Sequence, residues 1–348
     1  MNSTLLIYGA NGAIGRRLAE LAIEGGLTPI VAGRRADRID ELASRLGCEG
    51  RIAGIDEVSG IMADVDVVAS CVASYTAHGK PILRAAIEGG ANYLDLTGET
   101  RFVRWMFDTC NEPAGQRGVT LVPSAGLGLC SAIAARAAID GLATPVERVT
   151  VAYGSGGMRA SQGTAQSMVD VLAGGAVVVA SGRPRTLCPG LRLGRTPLGV
   201  GTLFPLTEPL MFRTMWPQTD MASYLVPPGA PILAPVAATV LAVAHLGARA
   251  NGDWLRRMAS RAAARNRPGG GFRIAVRAEA HGLKSDAVVD LDDVYEVSSG
   301  AMLEVAQSLA AGTDTGVRAS GAVVAGAPAG IADRIGVRLF TTVALNQP

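Results

Sequence analysis

The sequence predicts an α/β chain: a doubly wound parallel sheet, then a second, α+β domain built on a mainly antiparallel sheet. Three observations carry this. From residue 1 to about 125, short apolar runs alternate with helical stretches, as a parallel sheet covered on both faces requires. A glycine-punctuated turn joins the first run to the first helix. Beyond about Pro145 the runs alternate apolar with polar, the pattern of antiparallel strands with one exposed face.

The first element is the most informative. Leu5, Leu6 and Ile7 read as a buried strand, and Gly9, Gly12 and Gly15 follow at a spacing of three. A helical period then sets in, with Ile14, Leu18, Leu21 and Ala22 on one face. Gly9 permits a tight turn off the strand, Gly12 a close approach by a diphosphate, and Gly15 close helix–strand packing. The helix N-terminus supplies free N–H groups to the phosphates. Gly9, Ala10, Asn11, Gly12, Ala13, Ile14 and Gly15 are therefore the expected dinucleotide cradle of a Rossmann-type domain.

The second strand, Thr28 to Arg35, ends in Gly33, Arg34 and Arg35, with no Asp or Glu between Glu24 and Asp37. A carboxylate here would take the ribose 2′-OH of NAD. Two guanidiniums stand there instead and suit a 2′-phosphate, so the expected cofactor is NADP(H).

The remaining strands of this domain are expected near Arg51–Ile55, Val65–Cys71, Asn92–Leu96 and Val119–Pro123. Helices are expected over Asp37–Leu46, Pro81–Ile87 and Arg101–Asn111. The fourth strand should deliver Ser70, Cys71 and Val72 to the cofactor crevice, which lies at the carboxyl ends of the strands.

Of the 348 residues, 49% are hydrophobic and 18% charged, enough apolar material for two cores. A net charge of +2 without a clustered basic face gives no case for nucleic acid. Five scattered cysteines without a C-x-x-C pair suit a reduced, cytoplasmic setting. Three histidines without ligand spacing suggest no metal, and Met1–Thr4 running into the first strand suggests no leader.

At Tyr93–Glu99, Y-L-D-L-T-G-E, the sequence resembles the saccharopine dehydrogenase-like oxidoreductases, which include saccharopine reductases and the trans-acting enoyl reductases of polyketide pathways. S-C-V-A-S-Y-T-A-H-G before the motif and G-V-T-L-V-P-S-A-G after it extend the resemblance. A-S-Q-G-T-A-Q-S at 160–167 is similar to the family's S-x-G-T segment, and V-Y-E-V-S-S-G at 294–300 to its late Y-x-x-x-[ST] helix. The resemblance implies that Gly126 borders the nicotinamide and that residues from about 319 to 348 return to the first domain. The domains would then be 1–125 for the dinucleotide and 126–318 for substrate and dimerisation.

Two departures stand out. Where the family has N-x-x-G-P-Y, Ser70, Ala73 and Ser74 replace the first three named positions and Tyr75 remains. Where it has G-F-D-S-x-P, this chain reads G-L-G-L-C-S over Gly126–Ser131, without the carboxylate or the proline.

The candidates for chemistry are Tyr75, as proton donor or stacking ring, and Asp95 and Glu99 at the end of the fifth strand. For Glu99 a structural role at a helix N-terminus is favoured over catalysis. The expected activity is NADPH-dependent reduction of a C=C, C=N or C=O bond on a largely apolar small molecule of polyketide or acyl type, free or carrier-bound. A cyclase or isomerase that keeps the nucleotide fold is the alternative left by the altered loop. Ala230–Leu246 is almost wholly apolar but short for a span and carries Pro231 and Pro235. It is expected as a buried helix or the wall of a greasy pocket, so no stable membrane span is expected. Asn251–Arg267 reads as an arginine-rich helix, and a homodimer is among the assemblies open to the chain.

Overall fold

The computed structural model describes residues 3–142, 144–154, 159–229, 232–263, 270–312 and 314–345. The first half alternates as expected: β1 (Thr4–Tyr8), α1 (Ala13–Glu24), β2 (Thr28–Gly33), α2 (Ala36–Leu46), β3 (Glu49–Ile52) and β4 (Val67–Ser70). Then come α3 (Tyr75–Gly89), β5 (Asn92–Asp95), α4 (Thr100–Trp105), α5 (Asn111–Arg117), β6 (Thr120–Val122) and α6 (Leu127–Asp140). Residues 106–110 form a π-helical turn between α4 and α5, so the expected helix 101–111 is longer and broken in the middle.

The second half is richer in strands than its sequence suggests. It runs β7 (Arg148–Gly154), α7 (Gln162–Gly174), β8 (Ala176–Ala180), β9 (Arg183–Leu187), β10 (Leu193–Thr196) and β11 (Gly199–Leu203). It continues with α8 (Glu208–Phe212), β12 (Asp220–Val226), α9 (Ala234–Ala263), β13 (Phe272–Ala280), β14 (Leu283–Leu291) and α10 (Val294–Ala311). β15 (Gly316–Val317), α11 (Ser320–Val323), α12 (Pro328–Arg334) and β16 (Arg338–Leu345) complete the described chain.

The first sheet has the order β3-β2-β1-β4-β5-β6-β15 and is parallel throughout. Its central strands are buried on both faces, which is why they read as unbroken apolar runs. The order turns away from β1 on either side, so the crevice opens above β1 and β4 at their carboxyl ends. The second sheet has the path β10-β11-β12-β7-β13-β14-β16, with β8 on β12 and β9 on β8. Only the β12–β7 pair is parallel.

α6 joins the two. It leaves the crevice at Leu127 and packs beneath β13 and β14 on one side and against α10, α11 and α12 on the other. Buried nearly all round, it is built of small side chains such as Ala132, Ala134, Ala135 and Ala138. A Cβ on Gly321 of α11 would stand 2.6 Å from that of Ala132, so the helices meet at the limit of approach.

The carboxyl-terminal segment differs from expectation. Val294–Val317 is what rejoins the first layer: α10 packs on α1, β4 and β5, and β15 adds a strand beside β6. Residues beyond 319 do not follow as a unit, because β16 pairs with β14 and closes the edge of the second sheet.

Ala230–Leu246 is also corrected. Ala230 and Pro231 lie outside the described residues, and the rest opens α9, whose inner face rests on α7 while its outer apolar face is exposed. The arginine-rich stretch continues α9 past a kink at Asn251 (φ −148°, ψ 50°), with residues 264–267 outside the described ones. Among the described residues, no helix is long and apolar enough to cross a membrane.

Candidate active site

The loop between β1 and α1 shows what each glycine does. Gly9 has φ +86°, and a Cβ on it would lie 2.8 Å from Cys71 O. A Cβ on Gly15 would lie 2.7 Å from Gly9 O and 2.8 Å from Ala10 Cα. These two positions are closed by the protein's own backbone. Gly12 is not: its φ is −76°, and a Cβ there would meet only Gly9 O at 3.3 Å. α1 begins directly after it with no side-chain cap, so its first N–H groups stay open to a ligand. A phosphate cradle has these properties.

Asn11 sits at the end of the neighbouring strand, its Oδ1 3.5 Å from where a Gly33 Cβ would be. Ala13 is exposed and Ile14 half-buried at the helix entrance. Arg34 and Arg35 follow β2 directly, both exposed and neither in an ion pair among the described residues. The nearest acid in sequence, Asp37, faces Arg38 at 3.6 Å.

The β4–α3 loop forms the second wall. The Ser70 hydroxyl is buried, and Cys71 and Val72 are half-buried beside it. Burial pushes the Cys71 thiol up to about 12, which removes it as a nucleophile near neutrality. Ser74 holds φ +56°; its N–H donates to Ser167 Oγ at 2.9 Å, and its hydroxyl donates to Asp170 at 2.7 Å. Both partners lie on α7, which is thereby docked over this loop.

The three expected acid/base residues are buried and already engaged in hydrogen bonds within the protein. Tyr75 is only 2% exposed; its phenol donates to Ser70 O at 2.7 Å and accepts from Leu96 N at 3.2 Å. Burial raises its pKa further, and its proton lies on the backbone carbonyl of Ser70. Its ring packs on Phe102 at 5.7 Å between centroids.

Glu99 accepts from the N–H groups of Tyr75 (2.8 Å) and Thr76 (2.7 Å), so its carboxylate caps α3 rather than the helix that follows it. Asp95 was expected to face the crevice and is instead fully buried. It accepts from Thr97 N at 2.8 Å, Ser124 N at 3.0 Å and Tyr93 Oη at 3.0 Å, tying the end of β5 to the end of β6. Burial, the largest influence, pushes it up to about 7.

Two clusters were not legible as sites. Glu208, at the start of α8, is buried against the altered loop. Its Oε1 accepts from Tyr153 at 2.5 Å and Ser131 at 3.0 Å, while Oε2 has no partner. Burial, the largest influence, raises its pKa. A carboxyl group absent from Gly126–Ser131 is thus delivered to that loop from 77 residues away. Gly126 itself is fixed by packing: a Cβ there would stand 2.7 Å from Leu96 Cδ2 and 3.1 Å from Ser298 Cβ.

The second cluster joins two segments of the family resemblance. Tyr295 Oη accepts from Ser161 N at 2.6 Å and lies 3.1 Å from Thr164 Oγ1. The N-terminus of α10 is held to α1 by the Arg17–Glu296 pair at 2.7 Å, and the middle of α7 is held to the Ser74 loop. These half-buried hydroxyls therefore sit between the two walls of the crevice. Their i, i+3 and i, i+4 spacings were visible in sequence; their meeting was not.

No family model matches the chain. A bovine protein described as a saccharopine dehydrogenase-like oxidoreductase is 28% identical over 192 residues, which cover 47% of this chain and 45% of that protein. A trans-acting enoyl reductase of Mycobacterium bovis is 29% identical over 132 residues, 35% of this chain and 32% of that protein. The chain is related in sequence to the saccharopine dehydrogenase-like oxidoreductases. The matched stretch spans less than half the length of these curated relatives. Saccharopine dehydrogenase (L-Glu forming) of Saccharomyces cerevisiae has the same fold, with a TM-score of 0.61 over 98% of this chain and 100% of that one at 13% identity.

Proposed function

We propose that the chain is an NADPH-dependent oxidoreductase that reduces a C=C, C=N or C=O bond on a largely apolar small molecule of acyl or polyketide type. The observation that carries this is the crevice itself: Gly12 is open to a diphosphate between two sterically closed glycines, and two unpaired arginines end the next strand. The residues present fit the dinucleotide. The open N–H groups at Ala13–Gly15 would hold its diphosphate, and Arg34 with Arg35 its 2′-phosphate. When bound, the nicotinamide supplies a hydride, and the protein supplies position, a proton and a dry pocket.

In this reading the proton is held at the Tyr295 hydroxyl, with Thr164 and the Ser161 N–H fixing its orientation. The altered loop, Gly126–Ser131, carries no charged side chain to anchor an amino dicarboxylate of the saccharopine kind. That supports a neutral, apolar substrate, as does the trans-acting enoyl reductase among the relatives.

The test offers the purified protein NADPH with a panel of α,β-unsaturated acyl thioesters, alkyl ketones and imines, and follows NADPH absorbance beside product analysis. Product formed with equal loss of NADPH is the expected result. Conversion of a panel member with no NADPH consumed would replace reduction by acid/base chemistry on the same fold.

A further inference from the structure

The crevice does not use the outer face of α9. Residues 232–248 contain no Asp, Glu, Lys or Arg, yet Ile232 is 82% exposed, Val243 65% and Leu246 64%. Val236, Val240 and Val243 recur at helical spacing along one stripe of about 10 Å, at 1.5 Å per residue. The opposite side, through Ala234, His245 and Ala248, is buried, so the stripe is the helix's own outward face. Beyond the kink at Asn251 the outward face continues with Trp254, Arg257, Met258 and Arg261, apolar and cationic in turn. Leu191 and Leu193 extend it sideways, since α9 lies directly on their loop: a Cβ on Gly190 would collide with Ala238 O.

The charge around this face is of one sign. Residues 183–252 hold six arginines but only two carboxylates, Glu208 and Asp220. Glu208 is buried, and Asp220 accepts from Ser181 N at 2.7 Å. On α9 the single acid, Asp253, is bound to Arg256 at 2.5 Å. Arg192, Arg249, Arg257 and Arg261 are exposed and have no ion pair among the described residues.

From this we infer that the outer face of α9 is a docking surface for an anionic lipid membrane. A bare apolar stripe rimmed by unpaired arginines, with a tryptophan and a methionine among them, lies flat at a headgroup boundary. The apolar side chains enter the acyl edge, and the guanidiniums meet lipid phosphates. A second copy of the chain is a poorer occupant. Its α9 would bring more arginines and no free carboxylate to the contact, so like charges would face each other.

The helix is held firmly enough to serve as a platform. His245 Nδ1 lies 2.6 Å from Leu172 O, and Arg256 reaches Asp170 at 2.5 Å, the residue that also takes the Ser74 hydroxyl. Docking therefore places the Ser74 wall of the crevice one helix layer from the lipid.

The test uses the full chain and sedimentation with vesicles of phosphatidylcholine alone or with about a third phosphatidylglycerol. The protein should pellet with the anionic vesicles only and be released in about 0.5 M salt, where screening acts within about 4 Å. Val240→Glu with Val243→Glu should abolish pelleting. Arg257→Ala with Arg261→Ala should weaken it about 30-fold, and it keeps the test decisive should the glutamate variant fail a circular dichroism check. No pelleting of the wild type, or wild-type pelleting by the folded variants, would overturn the inference. A lipid-free dimer in sedimentation velocity that the arginine variant leaves intact and the glutamate variant splits would assign the face to a second copy instead.

Discussion

Asp95→Asn should make the protein more stable above neutrality, although Asp95 receives three hydrogen bonds. The carboxyl is fully buried and its pKa is pushed from 3.8 to about 7, chiefly by desolvation. Below about pH 4 the group is protonated in both folded and unfolded chains and contributes nothing. Between about pH 4 and 7 the unfolded chain ionises while the folded one resists, so stability falls as pH rises; above 7 the loss is constant. Three units at 1.36 kcal/mol each amount to about 4 kcal/mol, of which about 2–3 kcal/mol develops between pH 5 and 8. Asparagine keeps most of the site. Its Oδ1 can accept from Thr97 and Ser124 N–H as Asp95 does, and its amide can donate to Tyr93 Oη. The exchange at Tyr93 costs about 1 kcal/mol. Urea denaturation of both proteins from about pH 5 to 8 gives the difference directly. The variant should gain on the wild type steadily over that range. A difference that stays flat with pH, or a variant less stable than the wild type throughout, would show that the carboxylate is ionised and held by its donors.

Four further predictions concern the crevice. Arg34→Ala with Arg35→Ala should weaken NADPH by about 1–3 kcal/mol and leave NADH nearly unchanged in fluorescence titrations; equal losses would misplace the 2′-phosphate. Gly12→Val should abolish binding of either cofactor with the melting temperature kept, whereas Gly9→Val, at φ +86° and 2.8 Å from Cys71 O, should cost more than about 2 kcal/mol of stability. Tyr75→Phe should lose about 1–3 kcal/mol of stability, because Ser70 O and Leu96 N lose their partner, yet keep turnover within about threefold. Tyr295→Phe should lower turnover about 10²-fold or more with stability little changed; the reverse pattern would return the proton to Tyr75.

The sequence by itself determined the parallel-sheet half because the relevant physics there is local. Gly9 and Gly15 are demanded by backbone atoms within a few residues or on the adjacent strand, and the middles of β1 and β4 are apolar because both their faces are covered. The switch from strand to helical period at Gly12 needs no distant partner to be read. The strands from β8 to β12 were illegible for the opposite reason. They lie amid prolines and glycines on a sheet with one face partly open, and β12 finds its parallel partner in β7 only through the tertiary fold. Side-chain roles followed the same division. Tyr75, Asp95 and Glu99 stand in a recognisable motif, but whether a hydroxyl or carboxyl faces solvent depends on what packs over it. Here Leu96, Ser124 and the start of α3 consume all three. Tertiary structure alone brought Glu208 to Ser131 across 77 residues and Tyr295 to Ser161 across 134. No periodicity encodes such distances, because chain connectivity leaves them free until the two sheets close around α6.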